Sequence, residues 1–343
     1  MFFALIAVSA IAPSLLILWF FHARDVYREP GRVLWATFFL GVLTIPGVLL
    51  AVWPIVVLTP IGEIGNPYLS GFADAFGTAA IPEELFKFLV IYFYARRHPA
   101  FDEPMDGVVY GVAAGLGFAT LENVLYVSGG GIGVAIMRAF TAVPGHAFAG
   151  AIMGYYIGQA QFRPLERGKL IALSLVVPIV LHGLYDFPLL TLKVMGERDM
   201  EPSGVVVVAL LSLWLLSLIV EAVWALRSAG RLRREQLAHH RHGAMADARA
   251  RGVAPPPAAA PSKVKGWLLV VPGFVLASGG GLIALGLTLG LALGDTKPDE
   301  LVPLVVALVL VGVLPLLLGA LLFALGIRAL NRRFHYDRAH ART

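Results

Sequence analysis

The sequence predicts an all-α polytopic membrane protein of about nine transmembrane helices, with its N-terminus outside and its C-terminus in the cytoplasm. Of its 343 residues, 58% are hydrophobic and 14% are charged. A soluble protein carries about 25% charged residues. The apolar residues also form runs of about 20 residues, which is the length of a helix that crosses a bilayer. The protein is therefore expected in the cell membrane as a multi-pass protein.

The apolar runs, taken in order, give the predicted helices. They lie at about 2–22, 33–58, 70–95, 107–127, 132–160, 169–191, 203–226, 266–293 and 301–329. Basic residues concentrate in alternate loops, while the opposite loops contain only Lys193, Arg198 and Lys297. Basic loops stay in the cytoplasm, so this asymmetry sets the predicted orientation. The opening MFFALIAVSA lacks the basic segment of a cleaved signal peptide, and the first span is expected to be retained.

Composition divides the chain into three parts. Residues 1–226 form a predicted seven-helix body, whose motif core covers residues 70–190. Residues 227–265 form a predicted cytoplasmic linker, basic in its first half and rich in Pro and Ala in its second. Residues 266–343 form a predicted accessory transmembrane hairpin with a basic tail. The net charge of +5 lies mainly in loops that set topology, and it predicts no nucleic-acid partner.

Ionisable side chains inside predicted spans are costly in lipid and usually mark function. Spans three to six hold nearly all of them: Glu83, Glu84, Lys87, Glu122, Arg138, His146, His182 and Asp186. A rise of about 1.5 Å per residue places both histidines, Glu83 and Glu122 about 20–25 Å from the predicted cytoplasmic ends. Ionisable residues with unrelated structural roles would not be expected at the same depth in the membrane. We therefore expect two carboxylates and two imidazoles to form one layer.

The spacing within each helix indicates which of these side chains are neighbours. Glu83 and Lys87 are four residues apart and share a helix face, so the ammonium group can neutralise one carboxylate. Glu84 is rotated by about 100° and needs another partner. His182 and Asp186 are also four apart, which makes Asp186 a ligand itself or an orienting partner for an imidazole.

Small residues predict close contact between the helices that carry the layer. In span four, Gly107, Gly111 and Gly115 recur at intervals of four and lead toward Glu122. In span five, GHAFAGAIMG keeps small residues around His146. Both patterns allow backbones to approach closely, as a site buried between helices requires. Arg138 is interpreted as a structural counter-ion, and Glu221 as a residue near a span end that reaches the interface or pairs with Arg227.

The chemistry of this layer suits a metal-assisted hydrolysis. The chain has no cysteine, so any metal must be held by His, Asp or Glu. Two histidines and a carboxylate would leave an open position on Zn²⁺ for water, and a second carboxylate nearby could accept the proton of that water. Zn²⁺ is therefore the predicted cofactor.

Four short motifs resemble those of the PrsW-type intramembrane proteases, distant relatives of the CAAX-processing prenyl proteases. EELFK at 83–87 matches EExxK, and FATLE at 118–122 matches FxxxE. Two histidine motifs follow, PGHAFAG around His146 and HGLYD at 182–186. The ordered set lies on consecutive spans within about residues 70–190.

The resemblance implies a multi-pass protease that cuts membrane-anchored proteins in the lipid bilayer, such as an anti-sigma factor. It implies Glu83 or Glu84 as general base, with Glu83 preferred. Glu122, His146 and His182 would be the ligands of the water or metal. Lys87 and Asp186 would support them. Members are described as metalloproteases, although the related prenyl protease fold has also been argued to activate water with glutamate and histidines alone.

Two other classes of function are compatible with parts of this pattern. Buried carboxylates, histidines and a lysine also form the proton relay of a proton-coupled transporter, although the sequence shows no internal repeat of the kind common in carriers. A membrane scaffold would account for the hairpin but leaves the polar layer unexplained.

Overall fold

The computed structural model describes residues 2–59 and 61–250, and within these residues every regular element is helical. The α-helices are α1 (Phe2–His22), α2 (Gly31–Leu58), α3 (Pro67–Ala73), α4 (Ile81–Leu89), α5 (Pro104–Phe140), α6 (Ala142–Phe162), α7 (Arg167–Glu197) and α8 (Gly204–Ala250). The predicted all-α membrane class is confirmed. The second half of the predicted linker and the predicted hairpin, residues 251–343, lie outside the described residues.

Helix α5 is the centre of the bundle. In the part of this helix that is long and apolar enough to cross a membrane, 78% of an 18-residue window is buried, against 22% in α2. Helices α1, α2 and α6 all pack against it. Its apolar face is fully buried at Val109, Val112 and Leu116, and among the described helices it contributes the largest share of the main hydrophobic core. The more exposed apolar surface of α2 is suited to contact with lipid.

Helices α5 and α6 touch backbone to backbone, as their small residues predict. A methyl group added at Gly107 would collide with the carbonyl oxygen of Gly154, and one at Gly111 would collide with that of Gly150. A methyl group added at Gly115 would collide with the carbonyl oxygen of His146. The glycines therefore set how closely His146 approaches α5.

The predicted third span, 70–95, is not one regular helix. It consists of α3, a π-helical segment Asp74–Ala80, α4, a second π-helical segment Val90–Tyr94 and a 3₁₀ turn Ala95–Arg97. Helix α4 is only nine residues long, and Pro82 lies in its first turn. π-Helical turns are rare and frequently occur at functional sites, because each one changes the rotation of the residues that follow.

The boundary between the predicted fourth and fifth spans is a reversal at Gly131. This residue has φ 71° and ψ −163°, a conformation that suits glycine. Beyond it, Arg138 Nε donates to Asn123 Oδ1 at 2.9 Å. Fifteen residues of straight helix would separate those residues by about 22 Å, so the chain must turn back here. A non-helical Thr141 then divides the predicted span 132–160 before α6 begins.

Loop contacts occur at two ends of the bundle. At one end, the backbone N–H of Val26 donates to Gln236 of α8 at 3.3 Å, and Arg96 donates to Gln161 of α6 at 3.1 Å. Elsewhere, Arg198 donates to the carbonyl oxygen of Ile64 at 2.8 Å. The predicted basic loops therefore meet one another. Their cytoplasmic location stays a prediction.

Four helices in the described part of the chain are long and apolar enough to span a membrane: Gly31–Leu58, Pro104–Gly131, Pro164–Glu197 and Gly204–His240. A shorter apolar helix covers Ile11–His22. Helix α8 continues beyond the predicted span end at residue 226, so the basic first half of the linker is helical as far as Ala250. The total of nine spans stays a prediction.

Candidate active site

Four helices bring together all seven of the predicted catalytic, ligand and supporting residues. Helix α4 supplies Glu83, Glu84 and Lys87, α5 supplies Glu122, α6 supplies His146, and α7 supplies His182 and Asp186. These residues are called the Glu/His cluster below. Both Glu84 and Lys87 are 0% exposed, which is exceptional for charged side chains unless they are paired.

Lys87 links three members of the cluster. Its Nζ lies 2.8 Å from Glu84 Oε1, 3.4 Å from Glu83 Oε2 and 3.0 Å from His146 Nδ1. It also lies 4.1 Å from the centre of the Phe118 ring. The expected pairing with Glu83 is present, but the contact with Glu84 is shorter. Lys87 therefore neutralises Glu84 more directly and leaves Glu83 less engaged.

His182 is held by carboxylates on both sides of its ring. Its Nδ1 lies 2.8 Å from Glu84 Oε1, and its Nε2 lies 3.1 Å from Asp186 Oδ2. The same Nε2 is 3.9 Å from Glu83 Oε2, which is too long for a hydrogen bond. A metal-binding histidine usually donates one ring N–H to a carboxylate, as Nδ1 can to Glu84, and binds the metal through the other nitrogen.

His146 lies between Lys87 and Glu122. An ammonium group has only donors, so His146 Nδ1 must accept from Lys87, and Nε2 carries the hydrogen that it donates to Glu122 Oε2 at 2.8 Å. Glu122 Oε2 also accepts from Arg138 at 2.5 Å. Arg138 is thus the counter-ion of Glu122, in agreement with its interpretation from sequence, and it lies over the Tyr126 ring at 4.0 Å.

The formal charges of the cluster do not balance. Four carboxylates, Glu83, Glu84, Glu122 and Asp186, are accompanied by two permanent cations, Lys87 and Arg138. With neutral imidazoles, an excess of two negative charges remains. Uncompensated buried charge is costly, and the site therefore favours a further cation or protonation of His182, which has a carboxylate at each ring nitrogen. Glu84 Oε2 is also buried without a hydrogen-bond partner.

The donor atoms fit a metal ion. Glu83, His146 and His182 each offer one ligand atom, and these atoms lie within 4.8 Å of one another. Ligands at about 2.0–2.2 Å from a tetrahedral zinc ion lie about 3.3–3.6 Å apart, so the 3.9 Å between Glu83 and His182 would have to shorten by a few tenths of an ångström on binding. The set contains Glu83 where the sequence analysis expects Glu122, because the carboxylate of Glu122 is engaged by Arg138 and His146.

Glu221 is a charged residue near the cluster that the sequence analysis places elsewhere. Its side chain does not reach the interface: Glu221 is 1% exposed and interacts electrostatically with His182 and Glu84. A methyl group added at Gly145 would lie 3.7 Å from its Oε2, so it lies beside the start of α6. Its position inside an apolar run was the available signal, since carboxylates there usually face the protein interior.

Comparisons with known proteins give an independent assignment. Residues 29–220 match the model of a family described as PrsW family intramembrane metalloprotease, which is more than half of the chain. Proteins named Protease PrsW are 41% identical over 193 residues in Bacillus subtilis (strain 168) and 39% identical over 189 residues in Geobacillus kaustophilus (strain HTA426). These matches cover 56% and 55% of this chain, and 85% and 80% of the relatives.

A third relative, Protease PrsW of Shouchella clausii (strain KSM-K16), is 34% identical over 226 residues, which is 66% of this chain and 97% of that protein. No solved structure matches. The family match confirms the resemblance that the four motifs indicated. The chain therefore belongs to the PrsW family of intramembrane metalloproteases.

Proposed function

We propose that the Glu/His cluster is the catalytic centre with which this intramembrane protease hydrolyses peptide bonds of membrane-anchored proteins. The observation that carries the proposal is the position of His182. Glu84 orients this histidine through Nδ1, and its Nε2 lies 3.1 Å from Asp186 and 3.9 Å from Glu83 Oε2. A water molecule or a metal ion between Nε2 and Glu83 would be held by both.

Glu83 is the carboxylate best placed to receive the proton of the attacking water at Oε2. Its only ion-pair contacts within 4.0 Å among the described residues are Lys87 at 3.4 Å and His182 at 3.9 Å. Glu84 is engaged more tightly by both of those residues. Lys87 stabilises the negative charge on Glu83, and Glu84 fixes the His182 ring.

Zn²⁺ would be held by Glu83, His146 and His182. Binding there would replace the contact between His146 Nδ1 and Lys87 with a contact to the ion. A bound zinc ion supplies a Lewis acid that lowers the pKa of water to about 7 and polarises a carbonyl group. With the ion bound, Glu83 is a ligand, and Asp186, close to His182 Nε2, is the next carboxylate available to accept a proton.

A second mechanism follows from the position of Lys87. Its ammonium group already contacts Glu83, Glu84 and His146, so a cation is present among the donors without any metal. Glutamate and histidine would then activate water alone. Zinc content and the effect of chelators on cleavage distinguish the two mechanisms. Activity that survives chelation in protein free of zinc favours the metal-free one.

The substrate class follows from the location of the cluster among buried helices. We expect a protein with a single transmembrane helix, such as an anti-sigma factor, to be cut near the outer face of the membrane. Membrane proteomics of cells with the wild type against cells with Glu83→Ala identifies it as the anchored protein that loses its ectodomain only in the former. The proton-coupled transporter alternative has no support in the comparisons.

The direct test is cleavage of a co-expressed single-span substrate. The variants Glu83→Ala, Glu122→Ala and His182→Ala are expected to accumulate in the membrane and to leave the substrate intact. Glu197→Ala is a matched control, because the side chain of this glutamate is 63% exposed and its ion pair within 4.0 Å among the described residues is with Lys193. Cleavage that is unchanged in all three cluster variants would exclude the cluster as the catalytic centre.

A further inference from the structure

A second group of buried acids lies at the loop end of the bundle. Asp25 and Glu29 belong to the connection between α1 and α2, and Glu103 and Asp106 lie at the start of α5. These four residues are called the carboxylate cluster below. Along α5, Asp106 is sixteen residues, or about 24 Å, from Glu122. The carboxylate cluster is therefore separate from the Glu/His cluster.

Three of these acids are buried side by side. Asp25 is 4% exposed, Glu29 is 6% and Asp106 is 0%. Each places a carboxylate oxygen within 4.8 Å of the oxygens of the other two. Like charges at such distances in a buried site repel strongly, so a compensating group is required.

No cationic side chain of the described residues provides that compensation within 4.0 Å of the cluster. The guanidinium group of Arg24, adjacent in sequence to Asp25, lies over the Phe20 ring at 4.4 Å. The partners of the acids are neutral donors. Gln236 Nε2 donates to Asp25 Oδ1 at 2.6 Å and also to Glu103, while the Tyr110 hydroxyl donates to Glu29.

Two oxygens in the cluster accept no hydrogen bond from an N–H or hydroxyl group of the described residues. Asp106 Oδ2 caps the start of α5 by accepting from the backbone N–H groups of Asp102 and Glu103, both at 2.7 Å. Its other oxygen, Oδ1, is buried without such a donor, and the same holds for Asp25 Oδ2. The carboxyl groups of Asp106 and Glu29 lie within hydrogen-bond reach of each other, so a proton or a cation must separate them. Buried polar atoms are nearly always satisfied, and unsatisfied ones on two adjacent carboxylates indicate an unfilled ligand position.

We propose that Asp25, Glu29 and Asp106 bind a hard divalent cation of the Ca²⁺ type, with Glu103 as an additional acid at its edge. Calcium takes oxygen ligands at 2.3–2.6 Å, so opposite ligands lie about 4.6–5.2 Å apart, which accommodates the observed 4.8 Å limit. The site offers neither imidazole nor thiolate, so it differs from the donor set that zinc prefers.

Such an ion would tie the α1–α2 connection to the start of α5. Gln236 of α8 already touches this region, so three separate parts of the chain would be fixed around one charge.

The test is equilibrium dialysis of the purified full-length protein against ⁴⁵Ca²⁺ at pH 7.5. The wild type is expected to bind about one Ca²⁺ per chain with a Kd below about 1 mM. The double variant Asp25→Asn, Glu29→Gln removes two ligand charges with little change in side-chain shape and is expected to bind none. Glu83→Gln alters only the Glu/His cluster and is expected to keep Ca²⁺ binding, so this result does not depend on proteolysis.

A second measurement avoids changing the ligands. Tb³⁺ replaces Ca²⁺ in oxygen sites and emits when a nearby tyrosine is excited, and Tyr110 contacts Glu29 directly. The wild type is expected to show sensitised emission that Ca²⁺ displaces, and Tyr110→Phe is expected to lose most of that emission. A wild type that binds no Ca²⁺ at 1 mM, or a double variant that binds as much as the wild type, would overturn the proposal.

Discussion

The two clusters compensate their buried carboxylates in different ways. In the Glu/His cluster, carboxylates alternate with Lys87, Arg138 and two imidazoles, and nearly every charged atom has a partner. In the carboxylate cluster, the acids are surrounded by neutral donors such as Gln236 and Tyr110. The first arrangement holds groups that can exchange protons. The second holds only oxygens of one charge, which suits a fixed structural ion.

The difference shows that burial of acids does not by itself indicate catalysis. Nitrogen donors beside the carboxylates, as at His182, supply both a base and a ligand for zinc. A site of oxygens alone attracts hard cations and lacks the nitrogen donors that zinc prefers. The predictions below test whether the Glu/His cluster is catalytic and whether the carboxylate cluster is structural.

The largest expected effect is the loss of catalysis when Glu83 is made neutral. Glu83→Gln keeps the size of the side chain but removes the proton acceptor of the metal-free mechanism, or the charged ligand of the zinc mechanism. It is expected to reduce substrate cleavage by about 10²–10⁴-fold. The amount of product formed per enzyme in membranes measures this. Glu197→Gln is the matched control at an exposed position. Cleavage by Glu83→Gln within twofold of the wild type would contradict the assigned role.

The next effect concerns the cation that holds the Glu/His cluster together. Lys87→Met leaves Glu84 buried without its counter-ion and is expected to lower the free energy of unfolding by about 3–5 kcal/mol. Arg24→Met is the matched change at the carboxylate cluster. Arg24 is buried but makes no ion pair within 4.0 Å among the described residues, so a smaller loss is expected. Thermal unfolding in detergent compares them, and equal losses would argue against the different charge balance of the two clusters.

A smaller effect is expected at the helix contact that connects the two clusters. Helix α5 carries members of both, and Gly111 lies between them against Gly150 of α6. Gly111→Val would force the helices apart, with an expected cost of about 1–3 kcal/mol and weaker function at both clusters. Gly196→Ala has open space around the added methyl group and serves as the control. A stable, fully active Gly111→Val would show that this contact does not position the sites.

The smallest effect is a dependence of stability on pH at the carboxylate cluster. Burial raises the pKa of Glu103 from 4.5 to about 7 in the folded protein. Its protonated form therefore favours folding, and that contribution is present below pH 4.5 and lost as the pH rises through about 7. Glu103→Gln stays neutral, so its melting temperature without Ca²⁺ is expected to fall less than that of the wild type between pH 5 and pH 8. Identical pH profiles would contradict the raised pKa.

The Glu/His cluster could be predicted from sequence because charge inside an apolar run is a strong signal. Glu122 stands alone in a long apolar stretch, and His182 and Asp186 form an isolated pair in another. The spacing of Glu122 and His182 from the helix ends gave a common depth. The glycine pattern at Gly107 and Gly111 likewise fixed which helices would touch. In lipid, an ionisable side chain is costly unless it faces partners inside the protein. Small side chains are needed where two helix backbones touch, so each pattern allows few arrangements.

Other features left no such signal. The four acids of the carboxylate cluster lie in or beside loops, where acids are normally solvated, so nothing in the sequence marks them as buried. Glu221 carried a weaker signal, because it lies inside an apolar run but close enough to the predicted span end to be assigned to the interface. Hydrophobic periodicity also does not separate α-helix from π-helix, which is why the irregular backbone on both sides of α4 could not be foreseen.

The most direct test of the account is the zinc content of three purified proteins. They are the wild type, a Glu83→Gln, His182→Ala variant of the Glu/His cluster, and the Asp25→Asn, Glu29→Gln variant of the carboxylate cluster. Elemental analysis is expected to give about one zinc per chain in the wild type and in the carboxylate variant, and none in the Glu/His variant. Zinc retained by the Glu/His variant, or lost from the carboxylate variant alone, would contradict the division of roles between the two clusters.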